Sequence, residues 1–384
     1  MSTTPPLLLH VFHSFDTGGA EARTATLFNA LAGQFRHRVT AINGHYGTQA
    51  LIDPAVDWAP LPGPSSRRPW SAASSFRQIL RQLKPDLLLT YNWGAIDALF
   101  SLLPSQLCPA VHVEDGFGPD EAASLKRRRV WTRRLVLPRT TTRMVVPSQT
   151  LFRLASQNYG LPPGHLLQIP NGVDVHRFQP SRRPDLRHSL GIPPDAPVFG
   201  TIARLRGEKD LPWLVQRFAE AQIPHARLLF VGSGPAEPEI REAVRAHNVE
   251  SQTIFAGNAP DPAPFYGVFD AFVMSSVTEQ MPMGLLEAMA SGLPALCTNV
   301  GDICTILPAA QAHLAVPRSE PTRYAETLRR LAADPAWRSA LGLENRARAV
   351  AEFSLELMVS RWKRLYLEAS GMTPPPEQQH EHVP

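Results

Sequence analysis

The stretch "PVFGTIARLRGEKDLPWLVQRFAE" (197–220) decides the fold. Its first seven residues form an apolar run of strand length. A glycine- and charge-rich turn follows, and then Leu211, Leu214, Val215 and Phe218 recur at helical spacing over 210–220. A buried strand passing through a short turn into an amphipathic helix is the repeating unit of parallel α/β layers.

The same grammar runs outward in both directions. Toward the N-terminus, strands are expected at 7–13, 38–43, 86–90, 109–113, 143–146 and 166–170, with helices at 20–32, 71–83, 94–102, 122–136 and 148–158. A Pro-, Arg- and Asp-rich stretch after "LLQIP" then reads as an interdomain connection. Toward the C-terminus the pattern restarts, with strands at 197–203, 227–231, 252–256, 270–274 and 294–297. Helices fall at 210–220, 236–247, 284–291, 321–332, 335–350 and 354–369. The fold class is therefore α/β, with two doubly wound Rossmann-like domains. In such sheets ligands bind outside the carboxyl ends of the strands, so the cleft between the domains is the expected site.

Composition narrows the field. The chain has 384 residues, 43% of them hydrophobic, which suits two globular domains. No apolar run is long enough to cross a bilayer, and "MSTTPPLLLHVFH" lacks the basic start of a signal peptide. Three cysteines (Cys108, Cys297, Cys304) without metal-ligand spacing fit a reduced, cytoplasmic setting. A formal charge of +4 is too mild for a nucleic-acid partner. One cluster departs from this evenness, "SLKRRRVWTRRLVL" (124–137). It reads either as a solvated helix face or, through 126–134, as a strip for an anionic membrane surface, each basic residue adding about 1 kcal/mol.

Several turns carry chemistry. In "FHSFDTGGAEAR", Gly18 and Gly19 open a helix whose first N–H groups can receive an anion. The spacing is not G-x-G-x-x-G, so the fingerprint of an NAD-linked dehydrogenase is missing. Arg204 and Lys209 lie at a strand end beside a helix start and read as a diphosphate clamp. The competing reading is a surface pairing with Glu208 or Asp210. Gly232 and Gly234 in "VGSGP" repeat the strand–glycine–helix pattern, where a nucleotide could approach the backbone. In "SSVTEQMPMGLLEAMASGLPAL" (275–296), Pro282 suits a first helical turn and leaves Met283, Gly284 and Leu285 N–H groups to point toward Glu279. Glu287, one turn deeper, can accept hydroxyl hydrogen bonds from a ribose or merely complement the helix dipole.

Taken in order, "GGAE", "IPNGVDVHRF", "RLRGEK", "VGSGP", "EQMPMGLLEAMASGLPAL" and "TNVGD" resemble the GT-B glycosyltransferases of the retaining family four, nearest to sugar transferases of bacterial exopolysaccharide systems. The likeness is dense over 165–305 and thin over the first 160 residues. It implies an N-terminal acceptor-side domain (1–175), a nucleotide-sugar-binding domain (176–352), a closing helix (353–370) packed back on the first domain, and a disordered tail (371–384). It also implies that Arg204 and Lys209 neutralise a donor diphosphate, that Glu287 binds the ribose, and that Glu279 lies beside the transferred sugar. The backbone from Gln280 through Met281 and Pro282 to Met283 would touch sugar hydroxyls, and Gly18 and Gly19 would let the first helix approach the phosphates. No metal and no cofactor are implied beyond the nucleotide-diphosphate sugar as donor substrate. The acceptor would be a saccharide or lipid-linked saccharide, handled in the cytoplasm or at the inner face of its membrane.

Three places depart from the family pattern. Gln280 stands where glycine is usual, "ICTIL" replaces a glutamate after "TNVGD", and "PAVHVEDGFGPDE" has no histidine at the strand end. Strict alignment puts Asp115 there, with His112 three residues earlier. His112, Asp115 or Glu114 could orient or deprotonate the acceptor. Asp120 and Glu121 read as the cap and first turn of the next helix, and His10 and His13 as structural. These departures keep open a non-catalytic nucleotide-sugar or saccharide-binding protein of the same fold.

Overall fold

The computed structural model describes residues 4–16, 18–64, 69–116 and 126–374. The chain forms two compact units, one from Met1–Pro170 together with Met358–Pro384, the other from Asn171–Leu357.

The first unit is built on seven parallel strands: β1 (Leu7–Phe12), β2 (Arg36–Ala41), β3 (Trp58–Leu61), β4 (Leu87–Tyr91), β5 (Ala110–Val113), β6 (Arg143–Val146) and β7 (Leu166–Gln168). Their order is β3-β2-β1-β4-β5-β6-β7, so the winding reverses between β1 and β4. β1, β4 and β5 are buried along their whole length, as strands covered on both faces must be. A polar side chain in such a strand needs a partner, and His10 has two. Its ring nitrogens lie 3.0 Å from the Tyr91 hydroxyl and 3.1 Å from His37 Nδ1. The strand that periodicity misses, β3, is an edge strand with Pro60 in it and a half-exposed pattern.

The second unit has six parallel strands: β8 (Val198–Ile202), β9 (Arg227–Val231), β10 (Thr253–Gly257), β11 (Ala271–Met274), β12 (Ala295–Thr298) and β13 (Ala315–Val316). Their order, β10-β9-β8-β11-β12-β13, reverses between β8 and β11. Both sheets thus have the doubly wound arrangement expected from the sequence, one in each Rossmann-like unit.

The last helix, Leu355–Ala369, starts in the second unit, where the Leu355 N–H donates to the Val173 carbonyl at 2.9 Å. From Met358 onward it belongs to the first. There Trp362 and Tyr366 are buried. The Arg23 guanidinium lies 5.5 Å from the Trp362 ring, and Tyr366 meets Phe35 edge-on at 5.5 Å. Each large side chain buried this way contributes about 1.5–3 kcal/mol.

The helix expected at 122–136 runs instead over Arg127–Thr140, through Pro138. The short helices Pro184–Ser189, Ala263–Tyr266 and Ile303–Ile306 are too brief for periodicity to declare. Asp120, Glu121 and most of the expected tail, 375–384, lie outside the described residues.

Candidate active site

In the second unit the winding reverses between β8 and β11, and the segments that leave these two strands carry most of the residues singled out above. The segment after β8 is fixed to the segment after β9: Ala203 N–H donates to Val231 O and Leu205 N–H to Ser233 O, both at 3.1 Å. A Cβ on Gly232 would run into the Ala203 carbonyl, and one on Gly234 into the Leu205 carbonyl. The backbone that approaches these glycines is therefore the neighbouring loop. Gly232 also has φ +127°, which only glycine adopts readily. Between the two anchored residues Arg204 is exposed, and it makes no ion pair among the described residues.

Lys209 ends the short 3₁₀ turn Gly207–Lys209. Its ammonium pairs with Glu279 Oε1, which also accepts from the Ser276 hydroxyl at 2.7 Å. The competing sequence reading is corrected here: neither Glu208 nor Asp210 takes the lysine, because each has other work. The Glu208 carboxylate lies 3.9 Å from the Arg206 guanidinium and Asp210 is bound by Arg318, while the backbone Glu208 O accepts from Val277 N–H at 2.9 Å. The Ser275 hydroxyl donates to both Lys209 O (2.8 Å) and Asp210 O (3.0 Å), and Arg318 donates to Ser275 O at 2.8 Å. The segments following β8 and β11 are thus stitched together around the Lys209–Glu279 pair. Gly301 of "TNVGD" packs against the backbone of Glu279 and Gln280. Its φ is +56°, and a Cβ there would strike the Glu279 carbonyl.

The helix Met283–Ala290 follows. Pro282 is its N-cap rather than its first helical residue, and Leu285 N–H is not free, since it donates to Pro282 O at 3.2 Å. Met283 and Gly284 N–H groups have no backbone partner among the described residues. Gly284 lets the helix tip sit against the end of β8, where a Cβ would lie 3.1 Å from Ile202 O. Met281 is held by Asn171, whose side-chain amide donates to Met281 O at 3.1 Å. Gln280 is half-buried beside it. Glu287 is half-buried, and Tyr266 donates to its Oε2 at 2.6 Å. Burial raises the Glu287 carboxyl above its ordinary value, against the opposing pull of this hydrogen bond and of the Arg177 charge.

The first-unit candidates sit differently. Gly18 is the N-cap of the helix Gly19–Ala30, and a Cβ on it would meet the carboxylate of Glu21, while Gly19 has open space. Burial raises the Glu21 carboxyl. Asp115 is gripped by Arg23 through both oxygens, the second contact at 2.9 Å. Its N–H donates to Asn92 Oδ1 at 2.8 Å. Glu114 is paired with Arg133, both side chains 1% exposed. His112 is wholly buried with Nδ1 2.8 Å from the Thr90 hydroxyl, and burial pushes it down to about 3. Each of the three acid–base candidates is thus engaged in the packing or ion pairs of its own unit. Of the two histidines read as structural, His10 is a core residue, whereas His13 is exposed beyond the end of β1.

Sequence reading did not single out Tyr266, Arg318, Ser276 or Asn171 as site residues. Only Asn171 carries a signal, the N-G step of "IPNGVD".

Two family models match the chain: Glycosyltransferase Family 4 over residues 17–177 and Glycosyl transferases group 1 over 196–334. A Corynebacterium glutamicum protein named GDP-mannose-dependent monoacylated alpha-(1-6)-phosphatidylinositol monomannoside mannosyltransferase is 33% identical, covering 50% of this chain and 54% of its own. An Escherichia coli protein named UDP-Gal:alpha-D-GlcNAc-diphosphoundecaprenol alpha-1,3-galactosyltransferase is 26% identical over 60% of this chain and 62% of its own. The chain spans about a third to three fifths of the length of the curated relatives it matches. In fold it is similar to Anabaena HepE, solved in complex with UDP, with a TM-score of 0.79 at 17% identity, covering 94% of this chain and 99% of that one. With two family models falling one on each Rossmann-like domain, the chain belongs to the family-four glycosyltransferases, the glycosyl transferases group 1.

Proposed function

We propose that this protein transfers a hexosyl group from a nucleotide-diphosphate sugar to a saccharide or lipid-linked saccharide, with retention of anomeric configuration and without an essential metal ion. The observation that carries the reading is the Lys209–Glu279 pair, assembled from two chain segments beside the tip of a helix that also bears Glu287. In this reading Glu287 receives the ribose. Tyr266 occupies one of its oxygens and so orients the other toward the two ribose hydroxyls. Arg204 and Lys209 take the diphosphate, and the Met283 and Gly284 N–H groups add two neutral donors at the same place. Glu279 and the backbone from Gln280 to Met283 receive the sugar hydroxyls. On the first unit, Gly19 leaves open space at the start of its helix, whereas the Glu21 carboxylate lies against Gly18.

The chemistry follows from where charge develops. The bond between the anomeric carbon and the diphosphate oxygen breaks, and its electron pair goes to that oxygen. Preorganised cations and N–H groups stabilise the developing charge. The acceptor oxygen bonds to the anomeric carbon on the face being vacated, and its proton passes to the departing diphosphate. With the leaving group as base, Asp115 and His112 are not needed for proton transfer. Both cationic side chains can offset the diphosphate charge that Mg²⁺ offsets elsewhere, and turnover that survives chelation would support that part of the reading. The reaction is placed in the cytoplasm, at the inner face of its membrane when the acceptor is lipid-linked. The relatives named above for a phosphatidylinositol mannoside and for a diphosphoundecaprenol acceptor favour a lipid-linked acceptor.

The test is release of nucleoside diphosphate from a panel of UDP-, GDP- and ADP-sugars. Slow hydrolysis without acceptor is expected, with a loss of about 10²-fold or more in Lys209→Ala and Glu287→Ala. Tight donor binding with no release, even when acceptors are supplied, would instead establish a non-catalytic binding protein, the reading that Gln280 and the absence of a strand-end histidine keep open.

A further inference from the structure

The helix Arg127–Thr140 has two unlike faces. Arg133, Val136, Leu137 and Thr140 are buried, Arg133 by its pairing with Glu114. Trp131, 70% exposed, and Leu135, 53% exposed, face the opposite way. One helical turn on either side of Trp131 stand Arg127, Arg128 and Arg134, all exposed, and Lys126 precedes them. The Arg134 guanidinium lies 5.9 Å from the Trp131 ring. No acidic residue occurs between Lys126 and Thr140. A second tryptophan belongs to the same region of the unit. Trp70, on the helix Pro69–Leu83, is 77% exposed and lies 5.8 Å from Phe100. Phe100 ends the short helix Asp97–Phe100, which contacts both longer helices.

Burying either indole would be favourable, yet neither is buried, and the cations around Trp131 would repel one another in water. An environment that is apolar below and anionic above resolves both features. Tryptophan settles at the headgroup level of a bilayer, and basic side chains reach the lipid phosphates. We propose that the first unit docks on anionic lipid bilayers through this helix, with Trp131 and Leu135 entering the headgroup layer, Arg127, Arg128 and Arg134 contacting lipid phosphates, and Trp70 extending the contact. The proposal gives a surface to the peripheral-membrane part of the reading above and does not depend on the donor chemistry.

The test is co-sedimentation of the full chain with vesicles of phosphatidylcholine alone and of phosphatidylcholine mixed with phosphatidylglycerol. Binding is expected only to the anionic vesicles, falling steeply with salt. Arg127→Glu/Arg128→Glu/Arg134→Glu is expected to weaken it by about 10²-fold or more. Trp131→Ser/Leu135→Ser is expected to weaken it about tenfold and to remove the binding that survives high salt. Unchanged near-UV circular dichroism would show that the variants keep their fold, so vesicle binding is read whether or not any donor is turned over. Absence of wild-type binding to anionic vesicles at low salt, or equal binding by wild type and both variants, would overturn the proposal. Capture of a protein partner through this face without lipid binding would overturn it as well.

Discussion

Asp210 adopts φ +42° and ψ +52°, a left-handed conformation that costs a residue with a Cβ about 1–2 kcal/mol. Arg318 holds it there by binding its carboxylate and the Ser275 carbonyl, and in doing so fixes the residue next to Lys209. Arg318→Ala should therefore weaken nucleoside-diphosphate binding about tenfold in a calorimetric titration, although Arg318 is assigned no contact with the nucleotide. Adding Asp210→Gly, which relieves the strain directly, should restore most of the loss. A double variant no better than the single one would show that Arg318 acts otherwise. Glu287 offers a second test. Because burial raises its carboxyl, the native state retains a proton that the unfolded chain has already lost. Its contribution to stability is full below the ordinary carboxyl value and fades as pH rises through the raised one. Ribose binding needs the carboxylate, so nucleotide affinity should move the opposite way, falling as pH drops through that raised value. Thermal melts and titrations from about pH 4 to about pH 8 should show both slopes, and Glu287→Gln should flatten them. The sequence singled out Lys209, Glu279 and Glu287 by their places at a strand end and beside a helix start, but each alone also allowed a surface pair or a helix-dipole partner, and their roles came with the family resemblance. It could not show that Arg318 closes on Asp210 or that Arg23 closes on Asp115, since those partners lie 108 and 92 residues apart without a motif.

At the scale of elements, the long strands and helices were legible because each is apolar on a fixed period. What escaped were pieces defined by their neighbours: the edge strand β3, the two-residue β13, and a helix that runs through Pro138. The glycines illustrate the same division. A turn after β9 could be read, but not that Gly232 and Gly234 are required by the carbonyls of Ala203 and Leu205. Gly232→Ala should cost about 3 kcal/mol or more in urea unfolding, since it adds both a clash and a strained φ. Gly19→Ala, with open space and a helical position, should be neutral or stabilising by about 0.5–1 kcal/mol. If turnover nevertheless falls in Gly19→Ala, close approach of the donor to that helix is supported; unchanged turnover would remove Gly19 from the site.

At the scale of the molecule, two α/β domains were legible from a pattern that stops and restarts. The path of the last helix was expected only through the family likeness, because nothing local in "LELMVSRWKRLYLEA" names the surface it will meet. Trp362 is buried against Arg23 in the first unit, so Trp362→Ala should destabilise that unit by about 3–5 kcal/mol. Hydrogen exchange should then quicken across Leu7–Ala41 while the sheet containing β8 keeps its protection. Equal loosening of both units would contradict the assignment of Trp362 to the first alone.

The first unit is also discontinuous in sequence, with its closing segment beginning at Met358. On the ribosome, residues 1–170 therefore emerge without the side chains that seal His10 and Phe35, whereas residues 171–357 emerge as an uninterrupted block. The later-synthesised sheet can mature while the earlier one waits. A premature stop anywhere before Trp362 would then leave a nascent product whose N-terminal half is the natural target for chaperones and proteases.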